Sequence, residues 1–136
     1  MSLTFFSVHL ECRWFVGGEL MRKKALIVDD ERYIRDLVGD LMQTLDYDTE
    51  TFSNAEDALR SVQETAFDVV FTDYDLGGGR MNGLTFARRL AEQSDHPPYV
   101  ILMSGGEVPG LEIGQDIAAF LQKPFTFAEF KSVLPR

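Results

Sequence analysis

Asp29-Asp30, Asp73, Ser104 and Lys123 are the residues of this 136-residue chain whose types and positions suggest shared chemistry. Each follows closely on a short apolar run: Ala25–Val28, Val69–Phe71, Tyr99–Met103 and Ala118–Leu121. Singly, each has an ordinary reading. An Asp at a helix start supplies capping oxygens, a Ser before two glycines belongs to a turn, and a lone Lys is usually solvated. Together they suit a phosphorylated carboxylate. Clustered acids repel one another and cannot all stay ionised cheaply. A hard divalent cation such as Mg²⁺ relieves that repulsion through oxygen ligands. Asp73 can then attack a phosphoryl donor as a nucleophile. Ser104 can donate a hydrogen bond to the phosphoryl oxygens, and the Lys123 ammonium can offset their charge.

These residues meet only if the apolar runs are neighbouring strands with their carboxyl ends on one rim. From Ala25 the chain alternates strand and helix patterns. Ile34, Leu37, Val38, Leu41, Met42 and Leu45 form one helical stripe, and Ala55, Ala58, Leu59 and Val62 a second. Leu84, Ala87, Leu90 and Ala91 form a third, and Phe127, Phe130 and Val133 one side of the last helix. Ser53 with Glu56, and Thr126 with Glu129, read as capping boxes. Thr49–Phe52 is polar and β-branched, hence an edge strand. Between Gly105 and Gly114 four glycines and a proline leave room only for a short or irregular helix. Strict alternation requires crossovers, so the predicted fold is α/β: a doubly wound, flavodoxin-like, five-stranded parallel sheet of order 2-1-3-4-5 with helices on both faces.

Residues 1–20 stand outside this pattern as an N-terminal extension, either an expression remnant or a β-strand, with Gly17-Gly18 at its end and the main domain over 21–136. Apolar and polar residues alternate from Phe6 to Val16, which predicts a strand over 5–16. Such a strand needs an edge to pair with, either on its own sheet or across a homodimer. A net charge of −9 without a Lys/Arg cluster argues against a nucleic-acid surface. The single Cys12 excludes an internal disulfide framework, and no run approaches the ~20 apolar residues of a membrane span. Without a signal-peptide pattern, the expected location is cytoplasmic.

The segments Leu-Ile-Val-Asp29-Asp30-Glu, Phe-Asp-Val-Val-Phe-Thr-Asp73, Asn82-Gly83, Val-Ile-Leu-Met-Ser104-Gly and Lys123-Pro124-Phe together resemble those of response-regulator receiver domains, the CheY-like fold. The resemblance runs from about Lys23 to Leu134. It implies a Mg²⁺-dependent phosphorelay protein whose Asp73 accepts phosphate from a histidine kinase or phosphotransfer protein, and which catalyses only its own phosphorylation and dephosphorylation. It further implies Mg²⁺ ligation by Asp30 and Asp73 side chains and the Asp75 backbone carbonyl, with Asp29 acting through water. By the same resemblance the Lys123-Pro124 bond is cis, Ser104 and Phe120 form a conformational switch, and Asp75 and Gly106 flank the path of the hydrolytic water.

Two departures from the family pattern stand out. Leu76-Gly-Gly-Gly-Arg80 replaces the proline common after the phosphoacceptor and makes a longer loop. The Gly/Pro-rich stretch after Ser104 departs from the family's usual fourth-helix surface. Two other function classes compete with the receiver reading. Asp73-Tyr-Asp75 is a DxD pair, as in haloacid-dehalogenase-like phosphatases, although those chains carry it on their first strand. A receiver-shaped interaction module that is never phosphorylated would have no need of the charge cluster.

Overall fold

Short apolar runs separated by amphipathic stretches leave each strand's two faces to be covered by different helices. The computed structural model describes residues 3–5, 13–16, 19–78 and 81–136. Three short strands come first, β1 (Leu3–Phe5), β2 (Arg13–Val16) and β3 (Glu19–Arg22). They pair antiparallel in the order β1-β2-β3, with Leu3 opposite Val16 and Arg13 opposite Arg22. The strand predicted over 5–16 lies partly outside the described residues, at 6–12. Its described end, 13–16, pairs with 19–22 and 3–5 of its own chain rather than with an edge of the larger sheet, because two intervening residues suffice to join antiparallel strands. The boundary expected between residues 20 and 21 falls inside β3.

The chain then runs β4 (Lys24–Val28), α1 (Arg32–Thr44), β5 (Asp48–Phe52), α2 (Ala55–Glu64) and β6 (Val69–Asp73). It continues through α3 (Gly83–Glu92), β7 (Tyr99–Ser104), β8 (Ala119–Gln122) and α4 (Phe127–Ser132). β4 to β8 form a parallel sheet in the order β5-β4-β6-β7-β8, the predicted 2-1-3-4-5. Polar β5 is an edge, as expected. The two-residue period of the strands sorts the core into two layers. Ala25, Ile27, Phe71, Ile101 and Met103 pack with Val38 and Met42 of α1 and Phe130 of α4. Leu26, Val28, Val70 and Leu102 pack on the other face with Ala58 and Leu59 of α2 and Phe86 and Leu90 of α3. β6, central and buried at every residue, is held from both sides.

Local details differ from the sequence reading in three places. The α2 cap is Asn54, whose Oδ1 accepts the Asp57 N–H at 2.8 Å, rather than Ser53. The buried face of α3 keeps Ala87 and Leu90 of the predicted stripe and adds Gly83 and Phe86, with Leu84 partly buried against the same core. β8 begins at Ala119 rather than Ala118. The Thr126–Glu129 capping box forms as predicted. Residues 105–118 contain turns and one bridge, Ile113 to Ile117, and no helix. Among the described residues no helix is long and apolar enough to cross a membrane.

Candidate functional site

The rim of the sheet is fixed by hydrogen bonds that carry the ladders past the strand ends. Asp29 N–H donates to the Phe52 carbonyl at 3.1 Å, Tyr74 N–H to Met103 at 2.8 Å and Lys123 N–H to Ser104 at 2.9 Å. Asp29 follows β4, Asp73 and Ser104 are the last residues of β6 and β7, and Lys123 follows β8. Four strand ends thus set Asp29, Asp73, Ser104 and Lys123 along one rim of the sheet.

Lys123 is the hub. Its Nζ donates to Asp29 Oδ2 at 2.7 Å and lies 3.3 Å from Asp73 Oδ1 and 3.7 Å from Glu31 Oε1. Asp29, fully buried, also accepts the Glu31 N–H on Oδ1 at 2.9 Å, so both its oxygens are engaged. Arg35 of α1 reaches back to the Asp29 carbonyl at 2.7 Å. Burial pushes the Asp73 carboxyl up to about 6; the Asp29 charge adds to the rise, and Lys123 opposes it. Asp29 is also raised by burial, against the hydrogen bonds from Lys123 and the Glu31 amide. Burial alone would lower Lys123, but the Asp29 hydrogen bond and the Asp29 and Asp73 charges outweigh it and raise it. The Lys123-Pro124 peptide is cis, in line with the expectation.

Asp30, Asp73, Asp75, Ser104 and Lys123 all line one open cleft of about 900 Å³. Oxygens of Asp29, Asp30 and Glu31 lie within 4.8 Å of one another, a hard donor set that could hold a metal ion. Ser104, largely buried, is tied to Gly106: its Oγ lies 3.1 Å from the Gly106 N–H, which it accepts, and 3.2 Å from the Gly106 carbonyl, to which it donates. Phe120 is not in this cleft. Half-buried on β8, it lines a neighbouring groove with Val108, Pro109 and Leu111 and packs against the α2–α3 core.

Sequence reasoning gave no site role to Glu31, Arg35, Gly77 or Gly83. Gly77 has φ +64°, its N–H donates to Asp75 Oδ1 at 3.1 Å, and a Cβ there would stand 2.6 Å from Asp30 Oδ2. A Cβ on Gly83 would run into the Asp73 carbonyl and come 2.8 Å from Leu102 Cδ1. Glu31 was legible as a third acid in a row. The other three depend on contacts across loops, which spacing does not encode.

A five-stranded doubly wound sheet with an acid cluster and a lysine on its carboxyl rim defines a receiver-type α/β protein. The family model for the response regulator receiver domain matches residues 25–134, and the chain belongs to that family. It is 32% identical over 124 residues to the alkaline phosphatase synthesis transcriptional regulatory protein PhoP of Bacillus subtilis, covering 85% of this chain and 50% of the relative. It is 31% identical over 127 residues to the phosphate regulon transcriptional regulatory protein PhoB of Pseudomonas aeruginosa, covering 86% and 54%. The chain therefore spans about half the length of these curated relatives. Among solved structures it is similar to chemotaxis response regulator CheY4 of Vibrio cholerae, with TM-score 0.67 and 26% identity over 82% of this chain and 98% of that one. It is likewise similar to the receiver domain of NtrX from Brucella abortus, with TM-score 0.68 and 28% identity over 81% and 93%.

Proposed function

We propose that the chain accepts a phosphoryl group on Asp73 from a histidine kinase or phosphotransfer protein and passes the signal on by changing conformation. One observation carries this reading: the Asp73 carboxylate, largely buried on the central strand, stands 3.3 Å from Lys123 at the mouth of the acid-lined cleft. An Asp73 oxygen attacks the donor phosphorus, the bond from phosphorus to the donor breaks, and an acyl phosphate forms on Asp73. Lys123 offsets charge on the phosphoryl oxygens. Water attack on that phosphorus later returns phosphate and the free carboxylate.

The donor set fits Mg²⁺, which prefers carboxylate and carbonyl oxygens. Asp30 and Asp73 would hold it directly with the Asp75 carbonyl. Asp29, with both oxygens already engaged, would act through water. Bound there, Mg²⁺ supplies neutralising charge beside the reacting phosphoryl group. In this reading Ser104 exchanges its Gly106 bonds for a phosphoryl oxygen, and Phe120 moves with it. The activity resides in residues 21–136, with residues 1–20 an extension to it, and is confined to the chain's own phosphorylation and dephosphorylation.

Incubation with acetyl phosphate and Mg²⁺ should add one phosphoryl group by intact mass, and Asp73→Asn should add none. An equal mass gain in Asp73→Asn would overturn the assignment.

A further inference from the structure

The loop after β6 carries glycine at 77 where a side chain would have to share space with the Asp30 carboxylate. We infer that Gly77 is a positioning residue for Asp30: its bare Cα leaves the room in which the carboxylate stands at the metal-binding edge of the cleft. This rests on the reading of Asp30 as a direct Mg²⁺ ligand.

Two observations meet at this residue. Its φ of +64° is a left-handed conformation that favours glycine, and a Cβ would lie 2.6 Å from Asp30 Oδ2 and 3.5 Å from its Cγ. The obstacle is the carboxyl group itself. Asp30 is exposed, so its carboxylate can swing away from an added Cβ, but only by leaving the position from which it faces the cleft. The loop cannot easily yield instead. The Gly77 N–H is anchored on Asp75 Oδ1, and Leu76 beside it is buried in the α2–α3 core. Gly78, the next residue, has open space around its Cα and no left-handed φ. Two adjacent glycines therefore have different duties, and only the first governs the ligand.

Conformation and contact separate experimentally. Asn tolerates a left-handed backbone better than Ala, yet its Cβ meets Asp30 in the same way. Mg²⁺ titration by calorimetry should show both Gly77→Ala and Gly77→Asn binding about tenfold or more weakly, the loss typical of disturbing a residue that orients a ligand. Gly78→Ala should bind like the native chain. Native-like Mg²⁺ affinity in Gly77→Ala, or recovery of it in Gly77→Asn, would overturn the inference. If Asp30→Asn weakens Mg²⁺ binding while the Gly77 variants do not, Asp30 stands as a ligand and only the inference fails. If Asp30→Asn binds Mg²⁺ normally, the ligand assignment fails and takes the inference with it.

Discussion

At Asp73, burial and the neighbouring Asp29 charge act against ionisation, and Lys123 acts for it. The nucleophile must be the carboxylate. Without metal the carboxyl is raised to about 6. Mg²⁺ held by Asp73 would bring it down, so the midpoint of the pH–rate profile with acetyl phosphate should move to lower pH as Mg²⁺ is raised. A midpoint that does not respond to Mg²⁺ would contradict it. The same displacement sets a stability effect of determinate sign. Between the ordinary carboxylate range and about 6 the folded chain binds more protons at Asp73 than the unfolded one, so this residue's contribution to stability declines as pH rises. Asp73→Asn removes that burden. In EDTA it should be more resistant to urea than the native chain at pH 7.5, by on the order of 1–3 kcal/mol, and nearly equal to it at pH 4. Gly106 offers a third check. Its Cα faces open space beside Ser104, so Gly106→Tyr should fit and slow loss of phosphate from Asp73 by shielding it. An unchanged release rate would assign the timing elsewhere. Asp29, Asp73, Ser104 and Lys123 were legible because polarity returns abruptly at the end of each apolar run. Arg35 and Gly77 were not, since their partners, the Asp29 carbonyl and the Asp30 carboxylate, are met only after the loops have folded.

At the scale of single elements, two glycines in helices have opposite meanings. Gly39 lies inside α1, and a Cβ there meets only Thr51 Cγ2 at 3.8 Å, an ordinary contact. Gly39→Ala should raise stability by about 0.5–1 kcal/mol in urea unfolding, as glycine mid-helix costs roughly that much relative to alanine. Gly83 opens α3 with its N–H on the Tyr74 carbonyl, and its missing Cβ is what lets the helix sit against the end of β6. Gly83→Ala should lower stability by about 1–3 kcal/mol, as overpacking does. Effects of the same sign would refute this contrast. Both glycines look alike in sequence, because their difference lies in what the neighbouring strand places opposite. The Thr126–Glu129 box was legible since both halves are local. The shift from Ser53 to Asn54 was not, because two adjacent residues can each cap and the helix phase decides between them. Gly and Pro after Ser104 correctly signalled irregular backbone, and the structure extends that signal to the loss of the whole helix.

For the molecule as a whole, strand order and layering followed from chain alternation, since parallel neighbours need crossovers and right-handed crossovers leave few arrangements. The small β1–β3 sheet followed less well, because its partners are chosen by proximity in the chain rather than by a face pattern. It shares no hydrogen-bonded ladder with the five parallel strands among the described residues. One consequence of the Lys123 hub belongs to kinetics. Asp29, Glu31 and Asp73 crowd round that ammonium, with Asp30 lining the same cleft, in a chain of net charge −9, so any anionic donor approaches up a potential hill. Dissolved ions flatten such hills over about 10 Å at 0.1 M. With Mg²⁺ kept saturating, added KCl should therefore speed the encounter with a free anionic donor, where an attractive site would slow. A protein donor can bring its own cations to the cleft, and the field that turns away loose anions then favours a partner able to screen it.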